Sequence, residues 1–360
     1  MNKFALAYSV SNLGPKGFQR VLNTFGNLEK AWEASEEEYK KLEIKQKTFQ
    51  TFNNFRKSFN YVQYTLQMKK AGVEFISFTD KLYPSKLEKL ENPPIGIFVK
   101  GNKKLLKEPF SIAVVGTRKA TSYGREVTEF LVSNLSNNNV CIISGLALGI
   151  DGIAHRETVL NNGKTIAVLA CGVDCCLPSE NYSLYRSILD NDGLIISEYP
   201  LSQPPNKGTF LARNRIIAAL SDGVLVTEAA EDSGSLVTAG FGLTLNKKVF
   251  AVPGPITSRM SDGSLELLKQ GAKLVSDAGD ILNEFKTKNL KLKNKALKFK
   301  NLKLNKDEIR IIKLLEYEEM TIDELVKASK LQISNLFGLI SNLELKGILK
   351  NSGGKITIII

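Results

Sequence analysis

Two short segments carry cationic and aromatic side chains with the spacing of a phosphate- and base-binding surface. Residues 204–210 (PPNKGTF) place Lys207 and Phe210 three residues apart, and Arg118 follows a Gly-Thr pair in another segment. Lysine and arginine contact phosphates, arginine with two parallel hydrogen bonds, and an aromatic ring stacks on a base of any sequence. The alternative for Phe210 is a ring that anchors the start of a helix in the core, and the residues alone favour neither interpretation.

The residue types that carry out covalent or metal chemistry are sparse. The single histidine, His155, follows Asp151 by four residues, a spacing that supports a hydrogen bond on one helix face but supplies no nucleophile for a triad. A packing or capping role is therefore favoured for His155. The cysteines at 171, 175 and 176 lack a second pair of ligands that would complete a zinc site. We predict no catalytic residue and no metal.

Two common nucleotide fingerprints are also missing. Dinucleotide binding requires GxGxxG after the first strand, but Gly116 is followed by Thr117-Arg118-Lys119. A P-loop requires a glycine five residues before its Gly-Lys-Thr, and Thr158 occupies that place before residues 163–165. NAD and ATP are thus disfavoured, and no cofactor is predicted.

The elements that position these residues follow from the hydrophobic pattern. From residue 108 onward, short β-branched runs bounded by glycine alternate with amphipathic segments, which predicts a buried parallel sheet with right-handed crossovers. The strands are expected at 111–116, 140–144, 164–170, 193–197, 222–227 and 248–252, and the helices at 123–135, 150–160, 182–189, 210–220 and 236–245. Ligands bind such Rossmann-like sheets beyond the carboxyl ends of the strands. Small residues and Arg118 stand at those ends, which indicates a phosphate-binding rim.

The flanking segments differ from this central region in composition. Residues 1–65 show helical spacing, and residues 307–360 show three helical patterns followed by a hairpin, which suggests a winged helix. The glycines at 14–17 either offer amides to phosphates, as in helix-hairpin-helix modules, or merely connect helices of a small bundle, and the bundle is favoured. Residues 286–306 contain nine lysines and no acidic residue.

The net charge of +12 is unevenly distributed along the 360 residues. Residues 1–107 carry +9, residues 108–285 carry −5, and residues 286–306 carry +9. A polyanionic partner is plausible, and a central site must then depend on a few placed side chains. No apolar run has the length of a membrane span and no signal peptide is recognised, so we expect a cytoplasmic protein without membrane contact.

The motifs of the central region resemble those of the DNA-processing protein A family (DprA, also called Smf). They are VGTRKATSYG (115–124), SGLALGIDGIAH (144–155), TIAVLACGVD (165–174), SEYP (197–200), FLARNRIIAALSDGVLVTEA (210–229), SGSLVTA (233–239), VFAVPG (249–254) and GAKLV (271–275). The resemblance implies an α/β fold with four parts. These are a helical SAM-like domain (1–65), an extended Rossmann-like domain (66–285), a Lys-rich linker (286–306) and a winged-helix domain (307–360).

The resemblance also implies a function. A member of this family binds single-stranded DNA, protects incoming DNA, dimerises through its Rossmann domain and loads RecA onto the strand in natural transformation, without being an enzyme. The residues that it implies for DNA contact are Arg118, Ser144, Gly145, Leu146, Ala147, Lys207, Phe210, Arg213, Asn214 and Arg215. For the dimer interface we expect Leu265, Leu267, Leu268 and Leu274.

Two departures and one rival function accompany this resemblance. Cys176-Leu177-Pro178 stands where the family usually has an aromatic residue before proline, and the winged helix is weakly basic, so its partner is DNA or protein. The rival is a nucleotide-processing enzyme of the lysine-decarboxylase-like phosphoribohydrolase type. Its glycine-rich turn normally precedes a glutamate, and residues 233–239 contain no acid, but Glu228 and Asp151 keep this alternative open.

Overall fold

The structure, a computed structural model, describes residues 2–11, 13–42, 44–285, 304–315 and 319–358. These residues form two compact units, one within residues 1–290 and the other within residues 291–360. The predicted linker falls mostly outside the described residues. None of the helices in the described part of the chain is long and apolar enough to cross a membrane.

Six helices form the N-terminal part of the first unit. They are α1 (Lys3–Val10), α2 (Gly14–Phe25), α3 (Leu28–Glu33), α4 (Glu36–Lys40), α5 (Gln46–Ser58) and α6 (Tyr61–Ala71). Their core is aromatic: Tyr8 packs edge-on against Trp32 and donates or accepts a hydrogen bond of 2.8 Å with the buried Tyr39 hydroxyl. The predicted boundary between residues 65 and 66 lies inside α6.

A nine-stranded sheet occupies the centre of the same unit. Its strands are β1 (Glu74–Ser77), β2 (Gly96–Gly101), β3 (Ser111–Val115), β4 (Cys141–Ser144), β5 (Thr165–Leu169), β6 (Leu194–Ser197), β7 (Gly223–Val226), β8 (Lys248–Ala251) and β9 (Lys273–Leu274). They are arranged in the order β1-β2-β6-β5-β4-β3-β7-β8-β9. All neighbours from β6 to β9 are parallel, whereas β1 and β2 add to one edge in antiparallel pairs. The predicted Rossmann-like sheet is confirmed.

The helices of this region cover both faces of the sheet. They are α7 (Ser85–Glu88), α8 (Ser122–Asn137), α9 (Ile150–Leu160), α10 (Tyr182–Asp190), α11 (Lys207–Leu220), α12 (Gly234–Thr244), α13 (Asp262–Lys269) and α14 (Ala278–Glu284). Residues of β3, β4 and β5 are buried along their whole length, which explains their continuous apolar runs. The chain order reverses between β3 and β7, which is where such sheets bind ligands. The loops after these two strands are joined, because the Thr117 amide donates to the Glu228 carbonyl at 2.7 Å.

The second unit has the three helices and the β-hairpin of a winged helix. It contains α15 (Lys306–Leu315), β10 (Met320–Thr321), α16 (Ile322–Ser329), α17 (Ile333–Leu345), β11 (Leu349–Ser352) and β12 (Lys355–Ile358), with the strands in the order β10-β12-β11. Its buried core includes Ile311, Leu325, Leu336, Ile340 and Leu343. The sequence-predicted helices of this unit are found in the same places.

Candidate nucleic-acid interface

Arg118, Lys207 and Phe210, which we call the platform, lie at the carboxyl edge of the sheet. Arg118 follows β3, and the other two residues belong to the first turn of α11. The guanidinium carbon of Arg118 lies 4.8 Å from the centroid of the Phe210 ring, within the range of a cation–π contact. Two residues that are 92 positions apart in the sequence thus form one surface.

The charges of the platform are available to a ligand. Arg118 and Lys207 are exposed and Phe210 is half-buried. Among the described residues, neither cation has an acidic side chain within ion-pair distance. The surface therefore offers two positive charges and one partly open aromatic ring.

The start of α11 is fixed by a capping box. The Asn206 side chain accepts a hydrogen bond of 3.0 Å from the Thr209 amide, and the Thr209 hydroxyl pairs with the Asn206 amide at 2.8 Å. This reciprocal cap satisfies two amides that a helix start leaves without partners. It makes Lys207 the first residue of the helix, where its charge adds to the positive end of the helix dipole.

The small-residue turn after β4 lies directly below this surface. Ser144, Gly145, Leu146 and Ala147 are all buried, so their side chains are not exposed to a ligand. The Ser144 hydroxyl donates to the Val114 carbonyl at 2.6 Å, and the Gly145 amide donates to Asp151 at 3.1 Å. Whether the backbone of this turn contacts DNA stays a prediction.

Gly149 closes that turn in a conformation that only glycine adopts readily. Its φ is +72°, and a Cβ atom there would lie 2.2 Å from the Thr117 carbonyl oxygen. The close approach brings the β3 and β4 loops together, since the Ile150 amide donates to the same carbonyl at 3.1 Å. Arg118, the next residue, is thereby held beside the turn.

Arg213 corrects the expectation of a direct strand contact. Its side chain is 3% exposed, and its guanidinium donates to the carbonyls of Gly145, at 2.6 Å, and Val168. Burial lowers the pKa of Arg213 and raises that of Asp151, and the opposite charge of each partner counteracts this shift. The guanidinium thus fastens the small-residue turn to the end of β5 from inside the protein.

Arg215 and Asn214 are also engaged within the protein. Arg215 forms a two-point ion pair with Glu198, with both N–O distances 2.6 Å, and donates to the Asn92 carbonyl at 2.8 Å. Asn214 donates to the Gly234 carbonyl at 3.2 Å. Glu198 therefore neutralises the Arg215 guanidinium, and a contact of Arg215 with DNA stays a prediction.

The candidate catalytic carboxylates face the interior. Glu228 is 3% exposed and accepts a hydrogen bond of 2.9 Å from the Thr121 amide. The hydrogen bond that the spacing of Asp151 and His155 would allow is not found: Asp151 accepts from the Gly145 amide, and His155 Nδ1 pairs with the Thr165 hydroxyl at 2.7 Å. In the described part of the chain, no group of three or more His, Cys, Asp or Glu residues is placed to hold a metal.

Asn181 is a supporting residue that the sequence reasoning missed. Its side-chain amide donates to the carbonyls of Leu146 and Ala147, each at 3.0 Å. It is buried between α10 and the small-residue turn, 34 and 35 positions away in the sequence. No periodicity or motif relates residues so far apart, and only a known fold could have identified it.

The four leucines expected at a dimer interface divide into different environments. Leu267 is 7% exposed and packs into the core of its own chain, so its side chain does not face outward, contrary to expectation. Leu265 and Leu268 are half-buried. Leu274 is 55% exposed and lies on β9, the edge strand of the sheet. Leu274 is therefore the best-placed candidate of the four.

Comparison with known proteins assigns this architecture to a class and a family. The Rossmann-like sheet and the winged helix are those of a DNA-processing protein: a family model described as DNA recombination-mediator protein A matches residues 74–286, and the DprA winged helix domain matches residues 300–355. The chain belongs to the DNA recombination-mediator protein A family, DprA or Smf.

Individual relatives agree with this assignment. DNA processing protein DprA of Streptococcus pneumoniae is 43% identical over 220 residues, which cover 61% of this chain and 77% of that protein. A solved structure of the protein from that organism superposes with a TM-score of 0.70 at 34% identity, covering 79% of this chain and 98% of that one. A second, from Helicobacter pylori, concerns that protein's single-stranded DNA binding mode; its TM-score is 0.54 at 33% identity, over 60% of this chain and 97% of that one.

Proposed function

We propose that this chain binds single-stranded DNA on the platform and transfers the strand to RecA during natural transformation. The observation that carries the proposal is the exposed Arg118 guanidinium 4.8 Å above the Phe210 ring, with Lys207 in the same helical turn as that ring. Cations bind the phosphates of the strand, and the ring stacks on a base. The relative from Helicobacter pylori, whose structure concerns single-stranded DNA binding, supports the choice of ligand.

The geometry favours single strands over duplex. A duplex presents phosphates to Arg118 and Lys207 but hides the faces of its bases, so Phe210 contributes only when bases are unpaired. The platform is also small, with two cations and one ring. Binding without sequence preference follows, because every base has a face on which a ring can stack.

Binding to matched oligonucleotides tests this proposal. We expect tighter binding to a 20-nucleotide single strand than to the duplex of equal length, measured by fluorescence anisotropy at one salt concentration. Phe210→Ala should weaken single-strand binding by about 1–3 kcal/mol. Leu211→Ala is the matched control, because Leu211 is the next residue and is 50% exposed. Equal affinity of the native chain for both DNA forms would contradict the proposal.

We further propose that the chain acts as a homodimer and as a RecA loader rather than as an enzyme. Leu274 on the edge strand β9 is exposed, and a two-fold axis there would pair the same apolar patch of each copy. Sedimentation should show a dimer that Leu274→Glu converts to a folded monomer, with Leu160→Glu, at an exposed position of α9, as control. A monomeric native chain at micromolar concentration would contradict the dimer.

RecA loading has a direct readout. The native chain should shorten the lag before RecA hydrolyses ATP on a strand that is coated with single-strand-binding protein. Phe210→Ala should lengthen this lag in proportion to its loss of DNA affinity, and Leu211→Ala should not. An unchanged lag with the native chain would remove RecA from the proposal while leaving the DNA-binding result intact.

A further inference from the structure

A second exposed aromatic ring lies at the carboxyl edge of the sheet, at the start of helix α10. Tyr182 is the first residue of this helix, and its side chain is 56% exposed. The ring stacks with that of Tyr185, at an angle of 8° between the ring planes and 6.3 Å between the centroids. Offset stacking of two rings at such a distance is favourable. The Tyr182 ring is therefore supported by a second ring and open to solvent over about half of its surface.

The supporting ring is fixed in the core. Tyr185 is buried, and its hydroxyl donates a hydrogen bond of 2.7 Å to the Val173 carbonyl. An aromatic side chain that is held in place loses less conformational freedom when a ligand binds to it. Tyr182 thus presents a prepared surface for a flat ligand.

The start of α10 and the platform both contact the small-residue turn after β4. Asn181, the residue before α10, donates to the Ala147 carbonyl at 3.0 Å. Farther along the chain, Gly149 approaches Arg118 so closely that a Cβ atom on this glycine would lie 2.8 Å from the Arg118 Cα atom. Leu148, between these two contacts, is exposed. A DNA strand that leaves the platform across this turn therefore reaches the start of α10.

The charges on α10 favour contact with bases over contact with phosphates. Arg186 follows Tyr182 by one helical turn, is exposed, and has no acidic partner within ion-pair distance in the part of the chain that the structure describes. Glu180 and Asp190 are exposed as well, so two acids outnumber one cation in this segment. Phosphate binding depends on positive charge, whereas stacking depends on the face of a ring.

We propose that Tyr182 is a second stacking position, which takes an unpaired base of the same DNA strand that the platform binds. This inference rests on the proposed function, because it assigns the same class of ligand to a second ring. Phosphates bind at Arg118 and Lys207, and at α10 the strand contacts the protein through a base. Every base has a face that can stack on a ring, so the longer site adds affinity without adding sequence preference.

Oligonucleotides of two lengths test the inference on the full chain. The probes are fluorescein-labelled thymidine oligonucleotides of five and fifteen nucleotides, and binding is followed by anisotropy. Tyr182→Ala should weaken binding of the longer probe at least about fivefold, the size of one lost stacking contact, and leave binding of the shorter probe unchanged. Tyr182→Phe should keep the native affinity for both. Leu160→Ala is the control, because Leu160 is exposed at the far end of α9.

Photocrosslinking identifies the contact directly. On irradiation, 5-iodouracil forms a covalent bond with an aromatic ring on which it stacks, so the longer probe should crosslink to Phe210 and Tyr182 and the shorter one to Phe210 alone. Equal affinity of the native chain and Tyr182→Ala for the longer probe, or a crosslink to Phe210 without one to Tyr182, would overturn the inference and leave the platform intact. Absence of single-strand binding by the native chain would contradict the proposed function and this inference together.

Discussion

The environment of the Phe210 ring could be predicted only in part from its spacing in the sequence. The sequence places Phe210 one helical turn after Lys207 but does not decide between a core anchor and an exposed ring. The structure shows a half-buried ring with the Arg118 guanidinium 4.8 Å from its centroid, so the ring contributes to both packing and surface. This contact depends on how the loop after β3 and the first turn of α11 meet, and local spacing contains no such information.

The two cations of the platform should differ from the ring in their response to salt. Each phosphate contact releases condensed counterions, so Arg118→Ala and Lys207→Ala should each weaken single-strand binding and lower the slope of log affinity against log salt by about 0.7. Phe210→Ala should weaken binding with little change in slope. The measurement is an anisotropy titration at four salt concentrations.

Lys104 provides the control for this series. It is exposed in the turn before β3, at the amino edge of the sheet, and forms no ion pair within the described residues. Lys104→Ala should leave both affinity and slope close to those of the native chain. A slope that falls equally for Lys104→Ala and Arg118→Ala would mean that general charge, and not the platform, binds the strand.

His155 should make stability depend on pH. Burial of its ring lowers the pKa to about 3, whereas the ordinary value is 6.5. Below pH 6.5 the imidazole of His155 is therefore protonated in the unfolded chain but stays neutral in the folded chain. The free energy of unfolding consequently falls as pH decreases from 6.5 toward 3. Between pH 6.5 and 5 this amounts to about 2 kcal/mol.

The variant His155→Gln isolates this contribution, because glutamine stays polar opposite the Thr165 hydroxyl but does not titrate in this range. Urea unfolding, followed through the fluorescence of Trp32, should show a smaller loss of stability between pH 6.5 and 5 in the variant than in the native chain. Parallel losses in the two proteins would show that other groups account for the acid sensitivity.

At the scale of elements, the sequence predicted the sheet well and the orientation of helix α11 poorly. The six strands from β3 to β8 were recognisable to within one or two residues because β-branched runs between glycines are typical of buried parallel strands. The edge strands β1, β2 and β9 were not predicted. The expected DNA contact of Arg213 would require an exposed side chain. Its spacing of three, four and seven residues from Ile216, Ile217 and Leu220 places it on the buried face of α11, which the sequence could have indicated.

The pairing of Arg215 with Glu198 could not be predicted from helical spacing. The two residues are 17 positions apart and belong to α11 and to the loop after β6. A charge on a half-exposed helix position is ordinarily solvated, and nothing local distinguishes one that is matched by a neighbouring loop. The positions of long-range partners follow from the packing of α11 on the sheet and not from composition.

The contact between Gly145 and Arg213 should be sensitive to a single methyl group. A Cβ atom at Gly145 would lie 2.4 Å from Nη2 of Arg213, and the guanidinium is held in place by two carbonyls. Gly145→Ala should therefore lower the free energy of unfolding by about 1–3 kcal/mol, as overpacking of a buried site does. Urea unfolding of the full chain measures this difference.

Gly240 is the matched control for this substitution. It lies within α12, and a Cβ atom there would meet nothing within 4 Å. Gly240→Ala should therefore stabilise the chain by about 0.5–1 kcal/mol, because alanine loses less conformational freedom in a helix. Equal stabilities of the two variants would show that the guanidinium moves aside at little cost.

At the scale of the whole molecule, the net charge differs strongly between segments of the chain. The region that carries the platform, residues 108–285, has a net charge of −5 and so adds no attraction for DNA at long range by itself. Residues 1–107 carry +9, and residues 286–306 carry a further +9 from nine lysines. We therefore expect attraction at long range and binding at short range to be supplied by different parts of the chain.

Replacing the nine lysines of residues 286–306 with glutamine separates these two contributions. Electrostatic attraction acts mainly on the rate of encounter, whereas contacts at the platform determine how long the strand stays bound. The variant should therefore associate more slowly with a labelled single strand and dissociate at nearly the native rate. Stopped-flow measurements at low and physiological salt test this, and the difference in association should shrink at the higher salt because charges are screened. If association is unchanged at both salts, these lysines act only as a self-repelling spacer and the N-terminal third supplies the attraction alone.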